Sequence, residues 1–301
     1  MAQARLRPFF LPGPPRQFFG QPPGPAPLGP HPPPSPQREM AGQLSWYGGF
    51  EWEAAPLSHW RWPALGVAAY LVAVAALSVG MRSRQGLQLK YATAAHNMLL
   101  SLGSLCMLLG TALEASRRRA ASGELEWLFC ESGAARANGP LYFWSYVYYL
   151  SKYYEMLDTV LVLLQKSRVP NFNLQVYHHA VVVIMAWLWG EQRQSLQWPA
   201  LMFNCLVHVV MYQYYAWRVL GLPTPWKRWI TKLQILQFVT SFVLVARTLY
   251  VFSRKTNGDT CAGMQALLFN ALFNATLLLQ FIGVDKRNAA GPKERAAAKR
   301  E

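Results

Sequence analysis

Four short windows of the sequence combine bases, acids and amide donors. They are Lys152, Glu155, Asp158 and Thr159 in YVYYLSKYYEMLDTV; Gln175, His178 and His179 in LQVYHHA; Asn204, His208, Tyr212 and Tyr215 in FNCLVHVVMYQYYAW; and Gln234 and Gln237 in TKLQILQF. Imidazole titrates near neutrality and can serve as base, nucleophile or metal ligand. An HxxHH-like cluster in an apolar chain suggests a di-iron desaturase or hydroxylase, but two irons need many imidazole or carboxylate ligands. Of six histidines, His31 lies in a Pro-rich stretch, His59 precedes the first apolar span and His96 opens the second, leaving His178, His179 and His208 with the polar windows. Gln175, a poor iron ligand, stands three residues before His178. Three histidines fall short of two coordination spheres, so no metal is expected and organic acid–base or nucleophilic chemistry is left.

Helical spacing sorts these residues onto faces. At about 100° per residue, Lys152, Glu155, Asp158 and Thr159 share an arc of roughly 120°. A Lys152–Glu155 i, i+3 pair would neutralise itself but leave Asp158 unexplained, whereas a water-filled polar site accounts for all four. Gln175 and His178 are i, i+3 neighbours, so the Gln carbonyl is expected to accept from one ring nitrogen of His178, while His179 points about 100° away. Asn204, His208, Tyr212 and Tyr215 form one stripe; tyrosines also gather at membrane interfaces without chemistry. Gln234 and Gln237 are i, i+3 neighbours with Thr231 a turn away, and interhelical hydrogen bonding explains them as well as substrate contact does.

The elements holding these windows are apolar spans. The 301-residue chain is 52% hydrophobic and 14% charged, against roughly 25% charged in soluble domains. Seven charge-poor gaps fall at about 62–81, 94–113, 141–164, 174–190, 199–217, 229–252 and 263–284, each near the ~20 residues that cross a bilayer as helix. An all-α membrane protein of seven transmembrane helices is expected. The net charge of +15 is assigned to positive-inside orientation rather than to nucleic acid. Fourteen Lys and Arg on one set of segments against eight on the other put the C-terminus in the cytosol and the N-terminus across the membrane, although Arg117, Arg118 and Arg119 stand on the wrong side. Residues 1–40 hold 13 of 21 prolines; residues 1–58 are expected to be a disordered extension, 59–285 the helical domain and 286–301 a basic cytosolic tail. Cys130 and Cys261 fall in loops on the non-cytosolic side. An oxidising lumen there would permit a disulfide, two free thiols being the alternative, since spacing alone does not decide.

The windows K152-Y-Y-E155-M-L-D158-T159, Q175-V-Y-H178-H179, H208-V-V-M211-Y212-Q-Y214-Y215 and T231-K-L-Q234-I-L-Q237 resemble, in order and spacing, the four signature boxes of the ELO family of very-long-chain fatty acid elongases, over roughly residues 60–284. The resemblance implies a seven-helix endoplasmic reticulum membrane enzyme, six helices around an acyl tunnel, joining acyl-CoA to malonyl-CoA to give 3-oxoacyl-CoA, carbon dioxide and CoA. Both CoA thioesters are then substrates and no cofactor is expected. Partners would be the bilayer and the reductases and dehydratase of the elongation cycle, with a homodimer left open. Family members commonly carry a lumenal cysteine pair where Cys130 and Cys261 stand. Gln175 replaces the usual first histidine of HxxHH, a variant similar to polyunsaturated-acyl elongases of lower eukaryotes.

For such a reaction His178 is the expected nucleophile and His208 its partner, with His179 beside them. Lys152 and Asn204 would stabilise oxyanion or enolate charge, and Glu155 and Asp158 would fix Lys152 and the histidines. Gln175, Thr159, Tyr212, Tyr215, Gln234 and Gln237 complete the expected substrate contacts. A di-iron oxygenase and a seven-helix receptor or transporter are the rival classes.

Overall fold

The computed structural model of the protein describes residues 45–167, 171–255 and 260–289. Among these the chain is all-helical, with only isolated bridges Glu51–Asn138 and Ser132–Cys261. The helices are α1 Ser45–Gly48, α2 Arg61–Gly80, α3 Lys90–Ser122, α4 Gly139–Glu155, α5 Leu157–Gln165, α6 Phe172–Glu191, α7 Gln197–Leu220, α8 Lys227–Ser253 and α9 Met264–Ala289. By length and composition four can cross a membrane, namely α2, α3, α8 and α9, which makes the chain a multi-pass membrane protein. The other three expected spans do not qualify on that measure. The third is interrupted at Met156, where turns replace the helical ladder, and α6 and α7 carry the polar windows.

Neighbour relations follow a cycle. α3 lies against α7, α7 against α8, α8 against α9, α9 against α6, α6 against α4, and α4 against α3, while α2 packs on α5 and α6 from outside. Small residues permit the closest approaches: Gly110 of α3 receives the Trp144 ring of α4, and Gly66 of α2 receives Tyr153.

One end of the bundle is capped by ordered chain. Residues 45–58, expected within the disordered extension, instead pack: Phe50 and Trp52 are buried, Trp52 Nε1 donates to Glu191 at 3.0 Å, and Gly139 N–H donates to the Phe50 carbonyl at 2.8 Å. Four aromatic residues at 46, 47, 50 and 52 supply apolar area that the Pro-rich part lacks. Residues 1–44, and 290–301 of the expected tail, lie outside the described residues. At the same end α3 runs for 33 residues, about 50 Å against a hydrocarbon core of ~30 Å. Its overhang carries Arg117, Arg118 and Arg119. Arg117 bonds Glu114 at 2.6 Å, and Arg118 forks onto buried Glu131 at 2.6 and 2.8 Å while stacking over Trp127. Two of the three charges are thus paired locally. Cys130 and Cys261 are joined by a disulfide across 131 residues of sequence.

Candidate active site

The Met156 interruption separates the two carboxylates of one window into two networks. Glu155, the last residue of α4, takes Lys152 Nζ at 2.6 Å, both side chains 1% exposed. His208 Nδ1 of α7 lies 3.6 Å from the same Glu155 oxygen. Lys152 also stands 3.9 Å over the Tyr148 ring and 3.5 Å from Asn204 Oδ1, which accepts from the Tyr148 hydroxyl at 2.9 Å. Because Oδ1 is occupied, the amide N–H groups of Asn204 are the half left to donate elsewhere.

Asp158, one residue into α5, takes His96 Nε2 of α3 at 2.8 Å on one oxygen and the Tyr212 hydroxyl at 2.8 Å on the other. His179 Nε2 lies 3.8 Å from that second oxygen. Thr159, fully buried, bonds Tyr70 of α2 at 2.8 Å. Satisfaction of these enclosed groups is incomplete: the second Glu155 oxygen and His179 Nδ1 are buried without a hydrogen-bond partner among the described residues.

Beside the Glu155 network runs a cavity walled by α6, α7, α8 and α9, with Tyr148 of α4 at its edge. On α7 its lining extends from Pro199 to Met211, about 18 Å of rise. His178, His208, Asn204, Tyr148, Gln234 and Gln237 reach it. Ordinary ligand pockets have this composition, apolar with a few converging polar groups. The His178 ring stacks on Phe273 of α9, centroids 6.0 Å apart, and its buried Nδ1 has no hydrogen-bond partner.

Several expected contacts are placed differently. Gln175 forms no hydrogen bond with His178, whose ring is instead held against Phe273. Lys152 and Glu155 stand behind Tyr148 and Asn204 rather than in the lining, and Thr159 and Tyr212 serve the Asp158 network. Tyr215 packs on Tyr212 and is 38% exposed, the outer edge of the stripe. The histidine count needs correction, since His96 joins the cluster. Its signal in the sequence was an imidazole within an apolar span, the same cue that singled out the others. Tyr148 was legible at i−4 from Lys152. Among the described residues no group of three or more His, Cys, Asp or Glu is arranged to hold a metal ion.

The family model for ELO, the GNS1/SUR4 family, matches residues 55–289. The chain belongs to the ELO family. It is 34% identical over 235 residues to fatty acid elongase sre1 of Dictyostelium discoideum, covering 77% of this chain and 85% of that one. Fatty acid elongase A of the same organism is 30% identical over 78% of this chain and 84% of its own. Fatty acid elongase 4 of Trypanosoma brucei brucei is 30% identical over 75% and 84%. ELO membership places this protein in fatty acid elongation at a membrane.

Proposed function

We propose that this ELO protein is the condensing enzyme of elongation, with His178 as nucleophile. The observation that carries the reading is the cavity-lining imidazole of His178, with a buried ring nitrogen lacking any protein partner, beside His208 backed by Glu155 and Lys152. Attack by His178 on an acyl-CoA forms an N–C bond and breaks C–S; the imidazole proton leaves with the sulfur as CoA thiol. Malonyl-CoA then loses carbon dioxide, and its carbanion displaces the imidazole to give 3-oxoacyl-CoA. Asn204, its carbonyl already engaged, presents N–H donors to the oxygen on which charge develops, and Lys152 acts by fixing that amide.

The same reading makes the cavity an acyl tunnel inside six of seven spanning helices, α4 and α5 together making one of them. It places the protein in the endoplasmic reticulum with the disulfide end lumenal and the C-terminus cytosolic. Supporting this, Arg82, Arg84, Lys90 and Lys166 gather at the opposite end, where Lys166 Nζ bonds the carbonyls of Arg82 and Arg84 at 3.1 and 2.7 Å. The Gln175 variant points to polyunsaturated acyl chains, and reductases and a dehydratase would consume the product.

Intact mass after incubation with acyl-CoA alone tests the mechanism. An adduct of one acyl group is expected on the wild type and none on His178→Ala; an undiminished adduct on the variant removes His178 from the role.

A further inference from the structure

The condensation is one proton short. An acyl thioester plus a malonyl thioester carboxylate plus one proton gives the 3-oxoacyl thioester, carbon dioxide and a free thiol. In the histidine route that proton is the one carried off by CoA in the first step. When the carbanion breaks the N–C bond, the imidazole needs another, which must come from water.

His96 is positioned to pass it. It stands on α3, six residues from Lys90 at the cationic end, is 7% exposed, and does not line the cavity, so it cannot touch substrate. Its Nε2 is 2.8 Å from one oxygen of Asp158. The other Asp158 oxygen takes Tyr212 and faces His179 Nε2 at 3.8 Å, and the His179 ring is 5.5 Å from that of His178. Tyr154 packs on the imidazole of His96 at 4.9 Å. With Nε2 on Asp158, Nδ1 is a second proton site, and an imidazole can take a proton on one nitrogen while releasing one from the other. The carboxylate stands between the two imidazoles, bonded to His96 and within 3.8 Å of His179. The other histidine of the site, His208, leans on a different carboxylate, Glu155.

We propose that His96 is the outer member of a relay, His96–Asp158–His179, that returns one proton to the reacting histidine each turnover. The proposal rests on the condensation reading and makes His96 a positioning residue rather than a catalytic one. The full-length protein, His96→Gln and His96→Ala are compared in proteoliposomes by two measurements. Acyl-CoA alone reports the first transfer as released CoA thiol, and acyl-CoA with malonyl-CoA reports steady turnover, in water and in deuterium oxide. The glutamine amide can still donate to Asp158 but cannot relay a proton. His96→Gln is expected to keep the first transfer within about twofold and lose about a hundredfold or more in steady turnover, the range of a lost proton-transfer group. Its solvent isotope effect should rise, and His96→Ala should show the same loss in turnover. His96→Gln turning over like the wild type, or losing both steps equally, overturns the relay while leaving the condensation intact. A wild type that forms no malonyl-dependent product overturns the condensation reading itself.

Discussion

The imidazole of His178 and the ammonium of Lys152 illustrate two ways a polar group survives in an apolar interior. Lys152 is matched by Glu155 at 2.6 Å with both side chains 1% exposed; His178 is left open to the cavity it serves. Removing one member of an enclosed pair strands the other charge, at about 3–5 kcal/mol. Lys152→Met should therefore lower stability by about that much, read as a shift in thermal unfolding in detergent, and Lys152→Met/Glu155→Leu should recover most of it. Neither variant should turn over, because Asn204 loses one of the two donors that hold its Oδ1. Asn204→Leu removes the donor itself and is expected to cut turnover by about 10²–10³, with a stability loss of about 1–3 kcal/mol because the buried Tyr148 hydroxyl loses its acceptor. Periodicity alone put Lys152, Glu155 and Asp158 on one face. It could not show that Glu155 and Asp158 answer to different histidines, because that depends on the interruption at Met156 and on α3 and α7, distant in sequence.

At the level of helices, the apolar spans α2, α3, α8 and α9 were legible as such, with ends within a few residues of the charge-poor gaps, except that α3 continues to Ser122. The overhang escaped because α3 ends in SRRRAAS, which reads as a loop until Glu114 and Glu131 are known to take two of the arginines. Likewise Trp52 looked like part of a tail until its partner, Glu191 at the end of α6, was in view. That contact depends on Gly190, where any side chain would run into the Trp52 ring. Gly190→Leu should displace Trp52 and loosen the cap. Protease cleavage between residues 45 and 60 should speed up severalfold relative to the wild type, while His178 acylation persists.

For the whole molecule, the cap gathers chain from far apart: Trp52 with Glu191, and Cys130 with Cys261. Its disulfide closes a loop of 131 residues, and such a bond contributes about 2–5 kcal/mol, chiefly by restricting the unfolded chain. Cys130→Ser and Cys261→Ser should each lower the unfolding midpoint of the purified protein, and reductant should do the same to the wild type but not to either variant.

The same span of sequence also sets a clock. Ribosomes add about 5–20 residues per second, so with 131 residues between the two cysteines Cys130 waits roughly 7–26 s before its partner has even been made. With the disulfide end lumenal, as proposed, it is throughout that interval a lone thiol in a compartment that oxidises thiols, while the helices needed to seal the cap are still being made.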